Sequence, residues 1–217
     1  MVVLNFHGVG PITRKIDEGE LDCWIETDFL KRVLDLSLER EGIALTVDDG
    51  NQSDVRYILP ELVSRGLKAT FFLCTGKIGQ DTYLDSDDVK ELISHGMRIG
   101  NHGRDHRPWF HMSREDYNSE VVCSRQDLEQ RFSVDVTEAA CPFGAYDRQA
   151  LKTLKRARYA KVYTSDMGCT SKNAWLSPRN TVRRSMNLDQ IQQILDRRSP
   201  YGSSFKRTVK MFLKGLR

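Results

Sequence analysis

Short apolar runs alternate with segments of helical period along almost the whole chain, and that alternation limits the fold more than any other feature. Strand-like runs occupy residues 2–6, 42–50, 69–74, 97–101, 136–141 and 160–164, with one more short strand within 175–183. Between them, residues 27–40, 53–65, 86–95, 113–132, 148–158 and 188–195 read as helices. In residues 53–65, Val55, Ile58, Leu59 and Leu62 form one apolar face and Gly66 stops the helix. Strand and helix in strict alternation, with mostly short connections, specify a parallel sheet, either doubly wound or closed into a barrel. Residues 11–27 read as loop. At 217 residues, 39% of them hydrophobic, the chain can bury one full core.

Residues 42–50 read G-I-A-L-T-V-D-D-G. Ile43, Leu45 and Val47 alternate, and glycine bounds the run at both ends, as in a short buried strand. Asp48 and Asp49 stand at its carboxyl end, where parallel α/β sheets place their chemistry. Adjacent carboxylates resist ionising together, so they share a cation or divide their roles. The alternative is a solvated strand-to-turn corner, since Asp-Asp-Gly is good turn chemistry.

A second cluster follows about fifty residues on, I-G-N-H-G-R-D-H at residues 99–106. His102 and His106 are four apart and can reach one ion if the turn after the strand curls like a helix. One carboxylate and two imidazoles form a three-ligand set that leaves open positions, and the second carboxylate is then free to act as a base.

The balance of 33 basic and 30 acidic residues gives a net charge of +3, too little to argue for nucleic acid. Seven of the basic residues and no acid lie in residues 197–217, so the body is mildly acidic and the tail basic. The five cysteines are scattered without a C-x-x-C pair and read as reduced thiols. The first residues lack the charged region and apolar length of a signal peptide, and no run approaches the ~18 apolar residues of a membrane span. A cytoplasmic location is the expectation.

T-V-D-D-G at residues 46–50 and G-N-H-G-R-D-H at residues 100–106, with R-G-L-K-A-T-F-F-L and L-I-S-H-G-M-R-I-G-N-H between them, resemble the polysaccharide deacetylases. These carry the nodulation-factor deacetylase homology domain and form carbohydrate esterase family 4. The resemblance runs from about residue 43 to 168. It implies an α/β fold, a distorted (β/α)7 barrel of parallel strands, and metal-dependent removal of N- or O-acetyl groups from glycans. It implies Asp48 as general base and Asp49, His102 and His106 as metal ligands. Zinc is the expected ion, with cobalt or nickel able to substitute. Phe143, in C-P-F-G, would give a backbone N–H to the oxyanion.

Three departures accompany the resemblance. The third motif normally holds an arginine that orients the base, but Ala140 and Cys141 stand there. Phe143 replaces the usual tyrosine. No histidine follows His111, so the usual leucine-histidine motif is missing after the barrel. V-L-N-F-H at residues 3–7 resembles that motif moved to the front, as in the circularly permuted biofilm-polysaccharide deacetylases. His7 then becomes the general acid. Arg179 is the first candidate to replace the lost arginine and Arg183 the second, while Asp166 is expected to orient His7 or bind substrate. Trp109 and Phe110 are candidates to stack on sugar faces, with packing as the alternative. His95 and His111 are not expected to be ligands.

Residues 1–198 thus read as the barrel and residues 199–217 as a basic amphipathic tail. That tail either lies against anionic lipid at the inner face of a membrane or docks on the barrel. The expected activity is deacetylation of an N-acetylated oligo- or polysaccharide, or of a glycolipid intermediate in polysaccharide biosynthesis. Two alternatives stand beside it: a catalytically silent glycan-binding homologue, and a metal-dependent amidase on a non-sugar substrate.

Overall fold

The computed structural model describes residues 1–16, 18–196, 211 and 214. Strands β1 (Val2–Phe6), β2 (Ile43–Asp49), β3 (Ala69–Leu73), β4 (Arg98–Asn101), β5 (Glu138–Ala140), β6 (Lys161–Thr164), β7 (Leu176–Pro178) and β8 (Asn180–Thr181) form one sheet. Their order is β7-β6-β5-β4-β3-β2-β1-β8, and every pairing is parallel. The two outermost members, β7 and β8, are separated in sequence by Arg179 alone. The chain itself therefore bridges the last gap, and these two pieces act as one stave of the expected (β/α)7 barrel. The first strand of the chain fills the space between β2 and β8, with Asn5 in register with both Thr46 and Thr181.

Period-two alternation sorts the strand residues. Val2, Leu4 and Phe6 join the large core between strands and helices, whereas Val3 packs inside the barrel with Phe72, Ala140 and Tyr163. Gly100 makes room for this filling, because a Cβ there would lie 2.3 Å from the Phe72 ring. Asn5, Thr46, Asp48 and Arg179 share the interior face and are buried, so polar groups line the barrel above its apolar floor.

Helices α2 (Thr27–Leu38), α4 (Ser86–Ser94), α7 (Arg148–Arg156) and α8 (Leu188–Leu195) lie close to their expected positions. Asp85 caps α4 reciprocally with Asp88, and Asn187 caps α8 with Gln190. The segment expected as loop over residues 11–27 contains a five-residue helix, α1 (Glu18–Asp22), too short to register as periodicity. Two other helices contain π-helical turns. Asp54–Ile58 precedes α3 (Leu59–Ser64), and Asn118–Cys123 joins α5 (Arg114–Tyr117) to α6 (Ser124–Phe132).

Among the described residues no helix is long and apolar enough to cross a membrane. The amphipathic helix expected in the tail lies outside the described residues except for Met211 and Lys214.

Candidate active site

The strands end at a cavity of about 450 Å³ lined by His7, Asp48, Asp49, His102, His106 and Phe143, among others. Asp48 and Asp49 are neighbours on β2, and regular pleating would send their side chains to opposite faces. Asp49 escapes this by adopting φ 80°, a conformation uncommon for a residue with a side chain, and both carboxylates reach the same opening. His106 is likewise left-handed, at φ 55°.

Asp49 Oδ1 lies 3.2 Å from His106 Nε2 and 3.5 Å from His102 Nε2. The three donor atoms fall within 4.8 Å of one another. Donors about 2.1 Å from a tetrahedral zinc stand roughly 3.4 Å apart, so this set has the right span for one ion. Asp49 Oδ1 is buried without a hydrogen-bond partner among the described residues, as expected of an oxygen reserved for a cation. His102 Nδ1 is engaged by the Ala140 carbonyl at 2.8 Å, which aims its Nε2 at the same point. Burial pushes the His102 pKa down, and it lowers His106 to about 4, against the opposing pull of Asp49. Both imidazoles are thereby neutral and able to ligate at physiological pH.

Asp48 is held apart from this set. Arg179 Nη1 donates to its Oδ1 and Nη2 to its Oδ2, both at 2.7 Å, and Asn5 Nδ2 donates to Oδ2 at 3.0 Å. Burial alone would raise the Asp48 pKa, but the Arg179 guanidinium prevails and holds the carboxyl well below the usual range. Arg179 is itself fully buried, and its Nη1 also donates to Asn5 Oδ1 at 2.9 Å. Of the two candidates to replace the third-motif arginine, Arg179 reaches Asp48, whereas Arg183 pairs with Asp22.

His7 Nε2 stands 3.8 Å from Asp48 Oδ2, and His7 Nδ1 has no hydrogen-bond partner among the described residues. Phe143 is exposed at φ 57°, its ring 4.5 Å from that of His106. Its N–H makes no hydrogen bond among the described residues, because the turn Pro142–Gly144 is closed by Gly144 and Ala145 instead.

Asp166 and Trp109 lie elsewhere. The Asp166 carboxylate meets Lys214 Nζ at 2.7 Å and Tyr146 Oη at 3.4 Å, and it makes no hydrogen bond to His7. Among the described residues the cation facing it is Lys214. Trp109 is 0% exposed in the core and cannot stack on a sugar. Phe110 packs its ring 3.9 Å from that of His111, outside the cavity lining. Asn5 was not anticipated, although its place two residues before His7 on one strand face was a usable signal. Nor was Lys77, which lines the cavity beside the proposed ligands.

In comparison with known proteins, the family model described as polysaccharide deacetylase matches residues 36–162. The Bacillus subtilis (strain 168) protein YxkH is 27% identical over 143 residues, 66% of this chain and 51% of YxkH. The chain thus spans about half the length of that curated relative. Among solved structures, Streptococcus pyogenes deacetylase PplD in complex with acetate has a TM-score of 0.78 at 19% identity, over 90% of this chain and 97% of PplD. IcaB from Ammonifex degensii has a TM-score of 0.73 at 18% identity, over 90% and 95%. At these identities the two structures speak for the fold alone. The family match itself takes in Asp48, Asp49, His102, His106 and Phe143, and this chain belongs to the polysaccharide deacetylase family.

Proposed function

We propose that this protein is a metal-dependent deacetylase that removes N-acetyl groups from a glycan or glycolipid intermediate in polysaccharide biosynthesis. The carrying observation is the division of labour between the paired acids. Asp49 faces two imidazoles with a bare oxygen, while Asp48 is tied to Arg179 and remains ionised.

Asp49, His102 and His106 would hold the ion, and zinc suits one oxygen and two nitrogen donors. When bound there it supplies Lewis acidity toward the acetyl carbonyl and toward water. Asp48 takes the proton of the attacking water, its carboxylate fixed in place by the Arg179 fork. The unused N–H of Phe143 donates to the carbonyl oxygen as charge develops on it. His7 gives a proton to the departing amine. The structure of PplD holds acetate, the acid that this reaction would release.

Loss of the third-motif arginine is the main argument for a catalytically silent homologue, and Arg179 weakens that argument by reaching the same acid from another strand. Residues 199–217 are proposed either to rest on the cytoplasmic membrane face or to dock on the barrel, and the Lys214 contacts with Asp166 and Gly144 support docking.

Acetate release from an N-acetylglucosamine oligomer, measured beside metal content, tests the reading. The wild type should release acetate, Asp48→Asn should keep its metal without activity, and Asp49→Ala should lose both. Full activity in Asp48→Asn would remove the base from the scheme.

A further inference from the structure

The loop that carries His106 has little internal support. After Asn101 it turns through Gly103 at φ 87° and reaches His106 at φ 55°. Its carbonyls are taken by the neighbouring loop, Thr75 N–H donating to Gly103 O at 3.1 Å and Gly76 N–H to Arg104 O at 2.9 Å. Its amides point the other way, toward one buried carboxylate. Glu120 Oε2 accepts from Arg104 N at 2.9 Å, and Oε1 accepts from Asp105 N at 3.1 Å. Glu120 is 1% exposed and no basic side chain pairs with it among the described residues.

Glu120 lies in the π-helical turn Asn118–Cys123, and such turns within α-helices often mark functional sites. The widened turn also leaves the Glu120 and Val121 carbonyls to Asn101 Nδ2, both at 3.3 Å. Asn101 Oδ1 in turn accepts from Gly103 N at 2.9 Å and Ser124 Oγ at 3.0 Å. The helix is thus bonded to two consecutive loop amides, Arg104 and Asp105, while the Gly103 amide is held by Asn101, which the same helix anchors. Gly103 is fitted to this arrangement, because a Cβ there would lie 2.4 Å from Glu120 Oε2.

We propose that Glu120 is a positioning residue for metal binding, its two oxygens gripping the Arg104 and Asp105 amides so that His106 is presented to Asp49. The inference rests on Asp49, His102 and His106 holding a divalent ion. A free loop would have to be ordered by the ion at the expense of binding energy, and the carboxylate orders it beforehand. A glutamine at this position has a single acceptor oxygen and turns an amino group toward one of the two amides.

Zinc affinity, measured on the folded metal-free protein by competition with a chelator, tests this. Glu120→Gln should bind zinc about 10–100-fold more weakly than the wild type. Glu120→Asp, which keeps two acceptor oxygens but draws them back from both amides, should fall in the same direction. Metal affinity is a quantity that a carboxylate with a purely structural role would not move. Wild-type affinity within twofold in both variants, with or without a lowered melting temperature, overturns the proposal. If Glu120→Gln does not fold, Glu120→Asp decides alone. A wild type that binds no zinc overturns this proposal together with the functional reading, whereas zinc binding equal in wild type and variants overturns only this one.

Discussion

Replacing Arg179 with methionine keeps a long apolar stem in the barrel and removes the guanidinium that neutralises Asp48. The pair is fully buried and bidentate, with both N–O distances at 2.7 Å. Removing one partner of such a pair leaves an uncompensated charge and costs about 3–5 kcal/mol. For a domain of this length, 1 kcal/mol moves the melting temperature by about 2–4 °C, so Arg179→Met should melt about 6–20 °C lower. Asp48 should also hold its proton to higher pH, because burial then acts without the opposing cation. The acid limb of the pH–rate profile should therefore move upward. Arg179→Met with Asp48→Asn has no buried charge left unpaired and should regain most of the lost stability. Differential scanning calorimetry on wild type, both single variants and the double variant measures these terms. A melting temperature for Arg179→Met within about 2 °C of wild type, together with an unmoved acid limb, would refute the reasoning.

Other consequences are testable separately. Because the folded pKa of His106 lies near 4, below its unfolded value, the unfolded chain binds more protons between about pH 6.5 and 4. Metal-free protein should therefore lose stability as pH falls through that window, by up to about 3 kcal/mol, and His106→Gln should flatten the dependence in urea titrations. His7→Ala should slow amide hydrolysis far more than that of an activated acetyl ester, whose leaving group needs no proton; equal losses would remove His7 as the acid. Vesicles containing anionic lipid should pellet the full chain more than a version lacking residues 199–217, and equal partitioning would end the membrane proposal.

The fold was legible because strand and helix differ in period and because β2 and β4 stop on residues with distinctive chemistry. The ligand set was legible for a local reason: His102 and His106 share one turn, and Asp48 and Asp49 share one strand end. What joins these groups is less visible. Arg179 stands 131 residues from Asp48, and nothing local distinguishes it from Arg183, which binds Asp22. Barrel closure makes the choice, because Arg179 sits between the two pieces of the last stave and faces inward. The sequence left Trp109 open between sugar stacking and packing, because side-chain type does not reveal whether a loop folds under or over the rim, and its burial decides for packing. Glu120 was hidden for a related reason. It lies in a helix with polar residues on most sides, and the π-helical turn that brings it to the loop shifts the face count by one residue.

The central claim is that three side chains from two strand ends hold one divalent ion on which acetyl hydrolysis depends. Metal-stripped protein titrated with zinc, and assayed at each step for acetate released from an N-acetylglucosamine oligomer, tests it most directly. Activity should be absent at the start, rise linearly and level off at one equivalent. Full acetate release by the stripped protein, or none at any zinc ratio, would contradict the account.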